Sequence, residues 1–569
     1  MESAQTPPKL SAAETLKENS RQLRGTIQES LKQNTTHFTK DEVALLKFHG
    51  TYEQDDRDLR QKLQKEGKEA AYSMMVRSKI PGGRLSSQQY LAHDELATQY
   101  GNNTLRITTR QGFQFHGVLK KNMKAVIHTI NKNLGTTSGA CGDIVRNVMA
   151  CPAPFSDRQK MEIFQYTKAV SDQFLSRSGA YHEIWLDGEK MPHLPEPLGE
   201  EPVFGKTYLP RKFKIAIAFP DDNCIDVYSH DLGIVPEIHT GQLTGFNILV
   251  GGGFGMTHGL AYTYPRLATP FCFVRPTELL EITKAIVLVQ RDHGNRADRK
   301  RARMKYLIDN KGMDWFRAEV EKRFGKKTEA PHPIRWKTIE NHLGWGQDAN
   351  SAWFLGLYIE NGRIKDEGKM RLKSGLRAFA EKYRPEIYLT AQQDMIFAGF
   401  KEPQKKEVEA FLTSYGIKLP DQLSKLRKDA MACPALPTCG LAITESERVL
   451  PRIIDELVVI ARQMGLDGER IMIRMTGCPN GCTRPYNSEL AFVGRSPGTY
   501  AVLVGGSLTG NRLNFSIGEK VPQAKLVDFV GALFAFYKKN RWPGETFGDF
   551  CARQGVANLQ KAVGNVIQN

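Results

Sequence analysis

Apolar positions along the chain switch repeatedly between a helical period and a strand period, and neither lasts long. Leu450, Ile453, Ile454, Leu457, Val458 and Ala461 recur at helical spacing up to Gly465. Leu279, Ile282, Ile286 and Val289 do the same behind Thr277, which is the expected cap. Further helices are predicted over residues 11–33 and 522–537. Thr444 with Glu447 predicts a capping box ahead of the 450–465 helix, with Pro451 in its early turns. Ile471, Ile473 and Met475 alternate as in a half-buried strand, and so does the stretch 105–118. Residues 71–76, 215–219, 246–250 and 500–506 complete the predicted strands. Interleaved short strands and helices give an α+β class.

The pattern also repeats. Thr108-x2-Gln111-x3-Phe115-x-Gly117 recurs as Thr390-x2-Gln393-x3-Phe397-x-Gly399, 282 residues on, and Met149-Ala-Cys-Pro-Ala153 recurs as Met431-Ala-Cys-Pro-Ala435 at the same offset. Leu249-Val-Gly-Gly252 returns as Leu503-Val-Gly-Gly506 at 254. Two unrelated matches at one offset predict a duplicated half, two copies about a pseudo-twofold with a cleft between them. In this reading Cys151 is a core relic of the motif whose second copy carries the metal-binding cysteines.

Length and charge narrow the class. The 569 residues are enough for several domains. No run of about 18 apolar residues exists and the first 21 are polar, so neither a membrane span nor a signal peptide is expected and the location is expected to be cytoplasmic. A net charge of +17 calls for anionic partners. Residues 291–305 concentrate it in Arg291, Arg296, Arg299, Lys300, Arg301, Arg303 and Lys305, but base-stacking aromatics are missing before Tyr306, which disfavours nucleic acid. A basic metal protein that binds RNA remains a distant alternative. Gly251-Gly-Gly-Phe-Gly255 follows a strand but lacks the glycine at position 258 and is interrupted by Pro265, so it is no dinucleotide fingerprint.

Nine cysteines suit a reducing compartment, with Cys141, Cys151, Cys224, Cys272 and Cys551 scattered as core residues. The other four are paired: Cys433-x5-Cys439, and Cys478-x3-Cys482 inside Thr476-Gly-Cys-Pro-Asn-Gly-Cys482, whose glycines and proline let backbone wrap a bulky group. This spacing favours an iron–sulfur cluster over a zinc ribbon, with zinc or unligated thiols as the alternatives.

These motifs resemble those of the siroheme sulfite and nitrite reductases, and the resemblance runs along nearly the whole chain. It implies duplicated ferredoxin-like and reductase domains in a three-domain architecture around a siroheme cleft. The expected layout is an N-terminal arm (1–60), a first ferredoxin-like half (61–140), a first reductase domain (141–344), a second ferredoxin-like half (345–418), and a second reductase domain with the cluster (419–569). It further implies a [4Fe–4S] cluster on Cys433, Cys439, Cys478 and Cys482, the last also holding siroheme iron. Arg77, Arg146, Lys212 and Lys214 match the family's substrate-binding positions, while Lys79 stands where an arginine is expected. Arg106, Arg110, Gln114, His116, Arg296, Arg299, Lys300 and Asn480 are assigned to siroheme, whose eight carboxylates would account for much of the basic charge. The implied reaction is the six-electron reduction of sulfite to sulfide in assimilatory sulfur metabolism, with reduction of nitrite as the alternative. With no dinucleotide site of its own, the chain needs a donor protein. The segment Phe48-His-Gly-Thr-Tyr-Glu-Gln-Asp-Asp-Arg57 resembles the class paired with an NADPH-dependent flavoprotein, and ferredoxin is the other candidate.

Overall fold

The computed structural model describes residues 9–133, 135–153 and 158–567. Four five-stranded sheets make two pairs. The first runs Thr51–Asp55, Tyr72–Arg77, Phe113–Val118, Leu105–Ile107, Arg363–Ile364, and its counterpart runs Gly344–Gln347, Trp353–Leu357, Met395–Phe400, Glu386–Leu389, Arg84–Ser86. Each sheet therefore takes its last strand from the other half of the chain. This reciprocal loan is the pseudo-twofold written in hydrogen bonds, through Arg363 opposite Arg106 and Leu85 opposite Ile387.

The other pair has the same order in both copies: Met149–Ala150, Ile215–Ile217, Leu232–His239, Gln242–Val250, Thr269–Val274, and Ala430–Ala432, Ile473–Thr476, Leu490–Ser496, Thr499–Val504, Phe515–Pro522. Their registers coincide. Met149 faces Ala216 and Ile215 faces Leu232 in the first copy; Met431 faces Arg474 and Ile473 faces Leu490 in the second.

The repeated Thr-x2-Gln motif marks a place where the two halves touch, and the repeated glycines mark tight packing within each half. Gln111 Nε2 donates to the Leu389 carbonyl at 2.9 Å, and Gln393 Nε2 donates to the Ile107 carbonyl at 3.4 Å, reciprocal bonds between fully buried groups. Gly252 and Gly506 are held by close approach: a Cβ would lie 2.3 Å from the Tyr228 oxygen in one copy and 2.3 Å from the Ser488 oxygen in the other.

Two local expectations fail. The helix predicted over 11–33 is broken into Ala12–Asn19 and Ile27–Leu31, because Arg21, Gln22 and Leu23 adopt φ of 53, 58 and 72°. Glu447 caps no helix: Leu450–Gln463 starts later, and the Glu447 carboxylate is drawn off to Arg106 and Arg363. The chain 1–60 is not all arm either, since Thr51–Asp55 is an edge strand of the first sheet. Among the described residues no helix is long and apolar enough to cross a membrane.

Candidate active site

One face of the first sheet is polar although it is buried. Cross-strand partners share a face, so Arg77, Gln114, Arg106 and Arg363 form a single rung across four strands. His116 and Tyr52 belong to the same face. Several of these side chains lack protein partners for atoms that are out of water: Arg77 Nε, Gln114 Oε1, His116 Nε2 and, on the following turn, Arg110 Nε. Buried polar atoms are normally paired, so this concentration marks a surface built for a polar ligand. Burial, then Arg363 and Arg106, push His116 well below the usual histidine range, which leaves it neutral.

The second wall comes from the reductase copies. Lys212 and Lys214 flank Phe213 ahead of the strand Ile215–Ile217 and fall on one side by the period of two. Burial and the nearby Arg146 drive Lys212 well below the ordinary lysine range, and burial with Lys212 does the same to Lys214. Both also feel Arg303 and the Cys482 thiol. Arg110, which donates to the Asn147 and Ile215 carbonyls, is lowered to about 9 by burial and Arg146. Arg146 is fixed by the Gly142 carbonyl at 3.3 Å and lies 3.5 Å from the Tyr52 hydroxyl; Arg77 reaches Cys141 Sγ at 3.2 Å. Arg146 and Arg110 therefore crowd Lys212 and Lys214, which lie near Cys482, and the Thr109 hydroxyl beside Arg110 donates to the Cys482 carbonyl at 2.9 Å.

The cysteines sit at the carboxyl ends of the parallel strands Ala430–Ala432 and Ile473–Thr476. Gly477 N donates to Cys433 Sγ at 3.3 Å and Asn480 Nδ2 to Cys478 Sγ at 3.4 Å. Gly477 has no room for a side chain: a Cβ would be 2.5 Å from the Thr444 oxygen. Burial and then the Cys482 charge raise Cys439 to about 11 and Cys478 to about 12, and raise Cys433. Three thiols that resist ionisation beside Cys482 are a poor resting state and a good ligand set, because metal binding removes the protons. No three of them form a group with sulfurs mutually within 4.8 Å, although all four are described. A single zinc would bring them to roughly 3.8 Å, so their wider spacing fits a multinuclear cluster.

Other assigned residues already have protein partners or face solvent. Arg296 binds Glu14 and the carbonyls of Tyr208 and Arg291, anchoring the N-terminal helix. Arg299 pairs with Asp143 at 2.7 Å, and Lys300 is exposed. Arg106 spends its donors on Glu447 and the Ala432 carbonyl, beside Cys433. Lys79 faces away from Arg77: its Nζ is buried without a partner in a cavity lined by Thr136, Ser171, Asp172 and His193.

Sequence reasoning missed the residues that brace the site. Arg303 binds Asp231 through two bonds of 2.8 and 2.7 Å and reaches the Gly252 carbonyl, and Lys305 holds the carbonyls of Gly253 and Gly255. The glycine loop thereby reaches the cysteine loop, Met256 N donating to the Pro479 oxygen at 3.0 Å. Asp226 of the first copy binds Arg474 at 2.8 Å and Arg484 at 2.5 Å of the second, all buried. Burial alone would raise Asp226, but the two arginines hold it below the usual carboxylate range. Aligning the repeats could have found this pair, since Asp226 and Arg484 occupy the same register position, 258 residues apart, both in left-handed backbone.

Comparison with known proteins agrees with this architecture. The model described as "Nitrite/Sulfite reductase ferredoxin-like half domain" matches twice, at residues 66–133 and 346–415, and "Nitrite and sulphite reductase 4Fe-4S domain" matches residues 166–328. The four paired cysteines lie outside the latter stretch, in the second copy. Proteins named sulfite reductase [NADPH] hemoprotein beta-component are similar over nearly the whole chain: 44% identical in Anoxybacillus flavithermus (97% of this chain, 96% of that one), 44% in Geobacillus thermodenitrificans (97% and 96%) and 43% in Staphylococcus epidermidis (96% and 95%). The solved structure of the Mycobacterium tuberculosis NirA protein shares the fold, with a TM-score of 0.79 at 22% identity over 97% of both chains.

Proposed function

The chain belongs to the nitrite and sulfite reductase family, and on that premise we propose that it is the hemoprotein component of an NADPH-dependent sulfite reductase, containing siroheme and a [4Fe–4S] cluster. Bound together, the two groups supply stored electrons and an iron that binds sulfur. The net reaction takes hydrogen sulfite, six electrons and six protons to hydrosulfide and three waters.

The observation that carries this reading is the pair Lys212 and Lys214 near Cys482, with Arg146 beside the first and Arg110 beside the second, and the Thr109 hydroxyl bonded to the Cys482 carbonyl. The cluster would be held by Cys433, Cys439, Cys478 and Cys482. The orphaned atoms of Arg77, Gln114, His116 and Arg110 supply donors and acceptors for the macrocycle's carboxylates and for the substrate. Arg77 and Arg146 clamp the anion; arginine holds its proton too tightly to give it up. Lys212 and Lys214 are different. Burial, and then crowding by like charges, weakens their hold on protons, so each can protonate an oxygen of the bound anion as an S–O bond breaks, and a nearby anion favours their recharging. Asp231 and the Arg303 pair hold this wall in place, with Lys214 N donating to Asp231 Oδ2 at 2.9 Å.

A flavoprotein that oxidises NADPH is the proposed donor, from the names of the relatives and the absence of a dinucleotide fingerprint in this chain. Purified protein should show haem and cluster absorption. It should reduce sulfite more efficiently than nitrite with reduced viologen, and use NADPH once that flavoprotein is added. A colourless protein refutes the assignment, and sulfite turnover supported by reduced ferredoxin but not by the flavoprotein refutes the donor.

A further inference from the structure

A second cysteine-centred cluster lies in the first reductase copy. Cys151 Sγ is 3.8 Å from His342 Nε2 and 4.0 Å from Asp222 Oδ2, and His342 Nε2 is 3.3 Å from Asp222 Oδ2. With Cys224 Sγ these ligand atoms all fall within 4.8 Å of one another, and no other such group exists among the described residues. A tetrahedral ion with bonds of about 2.3 Å to sulfur and about 2.0–2.1 Å to nitrogen or oxygen spaces its ligands roughly 3.3–3.8 Å apart. The three distances are close to that.

The position is set by the duplication. The shared registers place Cys151 where the second copy has Cys433, and Cys224 where it has Cys482. Cys151 is therefore no isolated relic, as the sequence motif alone implied. Two of the four cluster-ligand positions keep thiols, and Asp222 takes the place of Asn480.

The remaining partners are held for ligation. Asp222 Oδ1 accepts from Cys224 N at 3.0 Å and Glu340 N at 3.1 Å, which leaves Oδ2 for the cluster, the way outer hydrogen bonds orient metal-binding carboxylates. His342 has φ of 58°, a strained region for a residue with a side chain, and its carbonyl is so close to Gly356 that a Cβ there would lie 1.7 Å away.

We propose that Cys151, Asp222, Cys224 and His342 bind one zinc-class divalent cation as a closed structural site. Two thiolates with an imidazole select zinc over calcium or magnesium, and four protein ligands leave no position open for catalysis. The donors are too close together to enclose an iron–sulfur cubane. Binding releases two protons to solvent, one from Cys224 and one from the Cys151–His342 pair, and changes no oxidation state. The ion would fasten residues 336–342, which pair with Asp221–Asp222 and lead into the second ferredoxin-like sheet at Gly344, to the first reductase sheet.

The test uses the full chain with its cofactors, purified from medium without added zinc and washed with chelator. Elemental analysis should give one zinc per chain, and zinc X-ray absorption a shell of two sulfurs at about 2.3 Å with two lighter atoms. Cys224→Ser and His342→Gln should each lower bound zinc at least about tenfold while the visible spectrum is retained, and Cys272→Ser, buried elsewhere, should keep it. The proposal is overturned by an all-sulfur shell, by a zinc-free protein that takes up none when offered, by recovery of a Cys151–Cys224 disulfide, or by variants that keep their zinc. Should Cys224→Ser not fold, His342→Gln and the wild-type absorption spectrum still decide.

Discussion

Single side chains here are tuned mostly by burial, and that tuning can be measured. Lys214 has no protein acceptor for its ammonium among the described residues and is held well below the ordinary lysine range by burial and Lys212. Lys214→Met removes a proton donor without emptying the cofactor site. We expect sulfite turnover with a chemical reductant to fall about 10²-fold or more, with siroheme and cluster absorption close to wild type; unchanged turnover would remove Lys214 from the chemistry. His49 shows the same physics away from the site. It accepts from Trp185 Nε1 at 2.8 Å on Nδ1 and reaches the Leu23 carbonyl at 3.0 Å through Nε2, so the neutral ring is fully paired and burial lowers it to about 4. As pH falls from about 6.5 towards 4 the unfolded chain takes up a proton that the folded chain refuses, so stability is lost over that window, by on the order of 3 kcal/mol. Above it nothing changes. His49→Gln, able to make both bonds without titrating, should flatten that part of the unfolding midpoint against pH, and an unaltered slope would assign the loss to other groups.

At the scale of elements, the legible features were those in which a backbone demand leaves a residue signature. Thr-x2-Gln and Leu-Val-Gly-Gly recur because Gln111 and Gln393 serve each other's strands and because Gly252 and Gly506 meet carbonyls where no Cβ fits. The cysteine loop was readable for a similar reason, since Gly477 and Gly481 have to be glycines or nearly so. Pairings between distant charged residues left no such signature. Glu447 has the spacing of a cap, yet it lies between Arg106 and Arg363, and nothing local reveals a borrowed edge strand. Arg296 has a family motif around it and is used by Glu14 instead. Two predictions follow from these contacts. Gln111→Leu and Gln393→Leu should each cost about 1–3 kcal/mol by leaving buried carbonyls unpaired, read as lower unfolding midpoints; an effect in one copy only would break the symmetry claimed. Glu447→Gln should cost about 3–5 kcal/mol, because the buried Arg106 and the half-buried Arg363 lose their counter-charge beside Cys433, and iron content should fall with it.

Across the whole molecule, duplication supplies the frame and charge supplies the direction. Two equivalent halves each pair a ferredoxin-like sheet with a reductase sheet, and the copies differ in that only the second carries the two cysteine pairs. The acidic Asp226 meets its own pseudo-symmetry mate, Arg484, close to the axis, so the duplication has turned an equivalence into an ion pair. The net charge of +17 cannot all be consumed there: Lys300 and many other basic residues face solvent. A basic exterior around a redox centre attracts an acidic donor surface, and such steering weakens as salt shortens the screening length from about 30 Å at 0.01 M to about 8 Å at 0.15 M. Electron delivery from a protein donor should therefore slow by about tenfold or more over that range, read as the apparent second-order rate of reduction by stopped flow. Reduction by a small neutral reductant, which has no charged patch to orient, should change little. If both respond equally to salt, the charge acts on substrate capture rather than on the donor, and the exposed lysines and arginines lose their assigned part in electron transfer.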